Sequence, residues 1–133
     1  MRNDIPEDLT ALLRKEKKVI VAYLFGSYAK KTHTRRSDID IAILLSETPK
    51  KLLEYYLYLM NKLSKILGNE VDLIILNTSP PLLKHQVIKH GKIVYSQSEE
   101  ARIAFEARAQ SEYLDFSRAI ERYNKCFTKQ ILA

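Results

Sequence analysis

A chain of 133 residues is long enough for one domain with a real core, and 46% hydrophobic with 29% charged residues excludes a disordered polymer. No apolar run approaches the roughly 20 residues of a membrane span, and the polar start MRNDIPEDLT lacks a signal-peptide core. The net charge of +6 favours an anionic partner, with solubility alone as the plain alternative. The single cysteine, Cys126, excludes an internal disulfide and fits a reducing, cytoplasmic setting.

In chain order, Ile5, Leu9, Leu12 and Leu13 recur at helical spacing and predict a helix over 5–17. KVIVAYLF, 18–25, is β-branched and aromatic, as a buried strand requires. SYAKKTH, 27–33, can form a short helix opened by Gly-Ser, and a polar loop follows. DIDIAILL, 38–45, predicts a central strand. Leu52, Leu53, Tyr56, Leu59, Met60, Leu63, Ile66 and Leu67 predict a broad apolar helical face over 49–67, stopped by Gly68. EVDLIIL, 70–76, is a third strand. NTSPPLLKHQVIKHG begins with a cap and two prolines, continues as a short helix and ends at Gly91. KIVYS, 92–96, is a fourth strand. From Ser98 to about 127 nothing interrupts one long helix. The order predicts an α/β (α+β) layer fold with helices against a mixed sheet. No repeat or linker divides the chain, so residues 1–133 are read as one domain, with a core over about 18–96 and a C-terminal helix over about 98–127.

Asp38 and Asp40 stand one residue apart on a predicted strand. Side chains alternate, so both carboxylates share one face while Ile39, Ile41 and Ile43 take the other. Two like charges beside an apolar run repel and lose solvation. A hard cation such as Mg²⁺ removes that difficulty and leaves room for water and phosphate. Asp72 can join them if its strand pairs with 38–45, and Glu70 shares the face of Asp72 as a weaker substitute. Three carboxylates could hold two ions, one at an attacking oxygen and one at a leaving pyrophosphate. Taken singly, Asp38 reads better as a helix or turn cap and Asp72 as a strand-edge charge; the full spacing is what favours metal.

Gly26 permits close backbone approach, and Ser27 opens a turn whose free N–H groups suit phosphate. Lys30, Lys31, Arg35 and Arg36 follow and could screen phosphate charge, although a solvated basic loop explains the lysines as well.

Gly26-Ser27, ten intervening residues and Asp38-Ile39-Asp40 resemble the Gly-Ser-x10-Asp-x-Asp signature of nucleotidyltransferases related to DNA polymerase β. The resemblance spans roughly 18–96. In size the chain is similar to the minimal nucleotidyltransferases of the MntA type, antitoxins encoded beside HEPN-domain toxins. That resemblance implies the polymerase β-like fold and a cytoplasmic Mg²⁺-dependent adenylyltransferase, with two ions, that transfers AMP from ATP to a tyrosine of the toxin. It implies that Asp38, Asp40 and Asp72 bind metal and act in catalysis. Asp72 could also serve as base, and Gly26, Ser27, Arg36 and Ser37 would hold nucleotide. Many relatives carry glycine where this chain has Lys31, a departure that removes no catalytic group. Three alternatives stay open: an antitoxin that only binds, a transferase with a small-molecule acceptor, and a nucleic-acid-binding module, the last supported by charge alone and not expected.

Neither GSYAKKT nor HGKIV forms a Walker A loop. His33, His85 and His90 are read as surface or loop residues. Tyr56 is expected in the core, with Tyr55 and Tyr58 partly exposed. On the last helix, Ile103, Phe105, Ala109, Tyr113, Phe116, Ile120 and Tyr123 leave a broad apolar surface. The region from Phe116 to Phe127 is expected to meet a partner chain or a second copy.

Overall fold

The four apolar runs pair into one sheet in a computed structural model that describes residues 5–26, 39–68 and 70–132. The elements are α1 (Ile5–Lys15), β1 (Val19–Phe25), β2 (Ile39–Leu45), α2 (Leu52–Leu67), β3 (Val71–Ile75), α3 (Pro81–His90), β4 (Lys92–Ser96) and α4 (Glu99–Leu132), with a 3-10 turn at Leu76–Thr78. The strand order is β3-β2-β1-β4. β1 is antiparallel to both β2 and β4, whereas β2 and β3 run parallel. A parallel pair needs a crossover, and α2 supplies it.

Alternation sorts the strand residues onto two faces. Ile39, Ile41 and Ile43 of β2, with Leu24 of β1 and Leu73 of β3, pack against Leu9 and Leu13 of α1 and Leu59, Leu63 and Leu67 of α2. The opposite face is smaller. Val21, Tyr23 and Ala42 meet Leu76, Val87 of α3, and Phe105 and Ala109 of α4. A register shift between Val19 and Val21 resets the alternation near the start of β1, as a bulge does.

Local chemistry sets the ends. α1 carries Glu7 and Asp8 in its first turn and Arg14 and Lys15 in its last, complementing the helix dipole. It stops at Lys15, earlier than the expected 17, because the chain turns through Glu16, whose carbonyl accepts from Val19 N at 3.1 Å. Gly68 closes α2 with φ +69°, and its N–H reaches Ser64 O at 2.9 Å. Ser98 Oγ accepts from Ala101 N at 3.1 Å and opens α4.

Three expectations need correction. Leu53 and Ile66 are 70% and 46% exposed, since the sheet takes only the stripe through Leu59, Leu63 and Leu67 and these two lie at its margins. The polar residues before α3 do not cap it; Pro80 is its N-cap residue, without a side-chain bond. Asn77 instead accepts from Leu45 N at 2.8 Å and donates to Leu45 O at 2.9 Å, closing the end of β2. Lastly, α4 continues to Leu132, past the expected end near 127. No helix among the described residues is long and apolar enough to cross a membrane.

Candidate active site

The candidate site lies where β1 ends and the parallel pair β2 and β3 begins. Glu70 O accepts from Ile39 N at 3.0 Å, which pins the starts of those two strands together. Asp40 is then the direct partner of Asp72 across the pair. Both point to the face opposite Ile39 and Ile41, so their backbones are about 5 Å apart and their carboxylates neighbours. Asp40 is half-buried and Asp72 exposed. On its other side Asp40 faces Phe25, the last residue of β1.

Gly26 follows with φ +73°, a conformation costly for any residue with a Cβ. A Cβ placed there would collide with Asp40 Oδ2 and lie 3.0 Å from Asp40 Cγ. Glycine suits the left-handed backbone here, and any Cβ would also push the Asp40 carboxylate aside.

The structure brings Gly26, Asp40 and Asp72 together. Ser27, Arg36, Ser37 and Asp38 lie outside the described residues, as do Lys30, Lys31, His33 and Arg35. Among the described residues no group of three His, Cys, Asp or Glu side chains converges as a metal site. The pair present nevertheless suits Mg²⁺: two hard oxygen donors lie side by side at a strand end, and water and phosphate can complete such a shell.

Residues that the sequence reading passed over lie behind this site. Tyr23, two residues before Phe25 on the same face, is 1% exposed. Its hydroxyl donates to Glu106 Oε2 at 2.7 Å. Arg102 reaches the same oxygen at 3.1 Å and forks onto Glu99 at 2.8 and 3.0 Å. Burial, then the bond to Glu106 and its charge, hold the phenol protonated well above its ordinary range. No local pattern announces this pair, whose members are 83 positions apart.

The tyrosines of α2 turn elsewhere. The Tyr58 hydroxyl, Lys62 Nζ and the Tyr55 hydroxyl reach Glu16 at 3.0, 3.3 and 3.5 Å, and Lys18 Nζ sits 5.5 Å from the Tyr55 ring centre. Glu16 and Lys18 precede β1, so this cluster and the adjoining cleft of about 590 Å³ occupy the sheet end opposite Gly26. His85 and His90 belong to α3; His90 is exposed, as expected of a surface residue, while His85 is half-buried and stacks on Tyr113 at 3.7 Å between ring centres.

The chain resembles known proteins over the same region. Residues 7–100 match the family described as Polymerase beta, Nucleotidyltransferase. The protein adenylyltransferase MntA of Shewanella oneidensis is 36% identical over 83 residues, which are 62% of this chain and 58% of that protein. The aligned region thus spans less than two thirds of that relative's length. A chain from a toxin–antitoxin crystal structure with AMP-PNP superposes with a TM-score of 0.72 at 27% identity, over 96% of this chain and 98% of that one. A chain from the complex of tri-AMPylated Shewanella oneidensis HEPN toxin with MNT antitoxin gives 0.68 at 25% identity, over the full length of both. The match over residues 7–100, on the strands that carry Gly26, Asp40 and Asp72, shows that this chain belongs to the polymerase β nucleotidyltransferase family.

Proposed function

We propose that the chain is a cytoplasmic, Mg²⁺-dependent protein adenylyltransferase that transfers AMP from ATP to a tyrosine hydroxyl of a HEPN-type RNase toxin and so acts as its antitoxin. The observation that carries this reading is the in-register pair Asp40 and Asp72 beside the left-handed Gly26. The adenylyltransferase relative and the similar chains from toxin–antitoxin complexes support the acceptor class. In this reading residues 1–133 act as a single domain.

Asp38, Asp40 and Asp72 would hold the metal, two ions being the number three carboxylates can serve. When bound, Mg²⁺ supplies positive charge at the attacking oxygen and at the departing pyrophosphate. Gly26 and Ser27 hold the β- and γ-phosphates, because a backbone without a Cβ lets amide groups approach them. Arg36 and Ser37 assist at the nucleotide. The tyrosine oxygen attacks the α-phosphorus, its proton passes to the Asp72 carboxylate, and the bond from the α-phosphorus to the bridging oxygen breaks. Pyrophosphate leaves with that electron pair, and the acceptor keeps AMP as a phosphodiester.

The test is label transfer from α-³²P-ATP, with Mg²⁺, to the product of a neighbouring HEPN-type gene. Label on the toxin from the α but not the γ position, lost with EDTA and in the Asp38→Ala/Asp40→Ala variant, is the expected result. A tight complex with no labelling would overturn catalysis and leave neutralisation by binding.

A further inference from the structure

α4 is one unbroken helix of 34 residues, about 51 Å long. Among the described residues, its first half is the part that touches the body. Phe105 and Ala109 are buried, Tyr113 stacks on His85, and every residue from 114 to 130 is exposed. The free half carries Phe116, Ile120, Tyr123 and Phe127. They alternate by four and three positions, so they form a single seam down one side.

Beside the buried packing of Phe105 and Ala109, two polar contacts hold the line of this helix. One is the outer contact with α3, where His85 meets Tyr113 and Lys84 Nζ reaches Glu112 at 3.1 Å. The other is the inner bond from Tyr23 on β1 to Glu106. The Tyr23 side chain is buried on the sheet, and Glu106 is the acceptor that pairs its hydroxyl. Arg102 holds Glu106 from the side and is itself held by Glu99. A slide or roll of α4 would leave the Tyr23 hydroxyl without Glu106 and part Glu112 from Lys84 of α3 together.

The strand that carries Tyr23 ends at Gly26, against Asp40. We propose that Tyr23 is a positioning residue: through Glu106 it fixes the angle at which α4 leaves the sheet, and so where a protein acceptor held on the free half presents its hydroxyl to the Gly26–Asp40–Asp72 site. This rests on the adenylyltransferase reading above. From Glu106 to Phe127 the helix runs about 32 Å, so a tilt of about 10° carries Phe127 by about 5 Å. Group transfer does not tolerate that, since about 1 Å of misplacement can cost a hundredfold in rate.

The single cysteine offers a direct readout. Cys126 lies exposed on the free half, and Lys65→Cys gives a second label on α2. Spin-label distances between them are measured on the protein without partner. Toxin labelling is followed in parallel by the KM for ATP and by kcat. Tyr23→Phe and Glu106→Ala should broaden or shift the distance distribution and lower kcat at least about tenfold, with the KM for ATP within about twofold. Glu106→Gln keeps an acceptor for the hydroxyl and should preserve the distance. An unchanged distribution in a folded Tyr23→Phe protein would overturn the proposal, as would a changed distribution with unchanged kcat. Absence of transfer by the unsubstituted chain would instead sink the adenylyltransferase reading. The distance measurement needs no substrate and would still decide whether Tyr23 aims the helix.

Discussion

The two faces of the sheet are made by the same strands and do different work. Towards α1 and α2, the inward positions of β1, β2 and β3 are aliphatic throughout, with Ile39, Ile41 and Ile43 in the middle. Towards α3 and α4, the same strands present Asp40, Asp72 and the Tyr23 phenol. A strand has period two, so each residue on one face leaves its neighbours free for the other. Stability is concentrated on the first face, and that allows the second to hold two adjacent carboxylates whose repulsion the fold must absorb.

Substitutions on each face test this division. The largest effect is expected from Asp40→Asn, which keeps the shape and removes a charge. Label transfer should fall by about a thousandfold, the scale of losing one charge-stabilising group. Urea stability, measured without divalent ions, should change far less than transfer. A marked loss of stability would mean that Asp40 is structural and that the two faces are not separable.

Ile41→Ala, one position along, should do the reverse. It opens a cavity between the sheet and α2 and should cost about 3 kcal/mol in urea unfolding. Transfer per folded molecule should stay near that of the unsubstituted protein. Gly26→Ala should register on both scales. Its left-handed backbone costs about 1–2 kcal/mol with a Cβ, and the methyl displaces the Asp40 carboxylate, so transfer should fall well beyond the loss of folded protein.

The smallest effect lies at the rim of the aliphatic face. Burial, with the Glu16 charge second, pushes the Tyr55 phenol from 10.0 up to about 12. The folded state therefore keeps this proton more tightly than the unfolded chain. That contribution is complete below about pH 10 and is lost as the pH rises towards about 12. Tyr55→Phe should flatten the decline in unfolding midpoint over this window. An unchanged slope would show that Tyr55 does not carry it.

Much of this was legible because local chemistry and global fold agree. Gly68 ends a helix by its left-handed backbone, Ser98 begins one by its hydroxyl, and Ile39, Ile41 and Ile43 mark a buried face by spacing alone. Leu53 and Ile66 misled because helical spacing reports which residues can share a face and not how wide a stripe the sheet will cover. Asn77 misled because a side-chain amide that can cap a helix can equally close the end of a neighbouring strand.

By itself, the sequence determined the order of the helices and strands among the described residues (the short helix expected over 27–33 lies outside them), the aliphatic face, and the Gly-Ser and Asp-x-Asp spacing that marks the family, since each depends on residues close along the chain. The tertiary structure alone decided that β2 and β3 pair parallel with Asp40 opposite Asp72, that Gly26 lies against that carboxylate, and that Glu106 meets Tyr23. Those juxtapositions join distant segments. They are settled by which register buries the most apolar surface while pairing the backbone polar groups, and no local pattern encodes that.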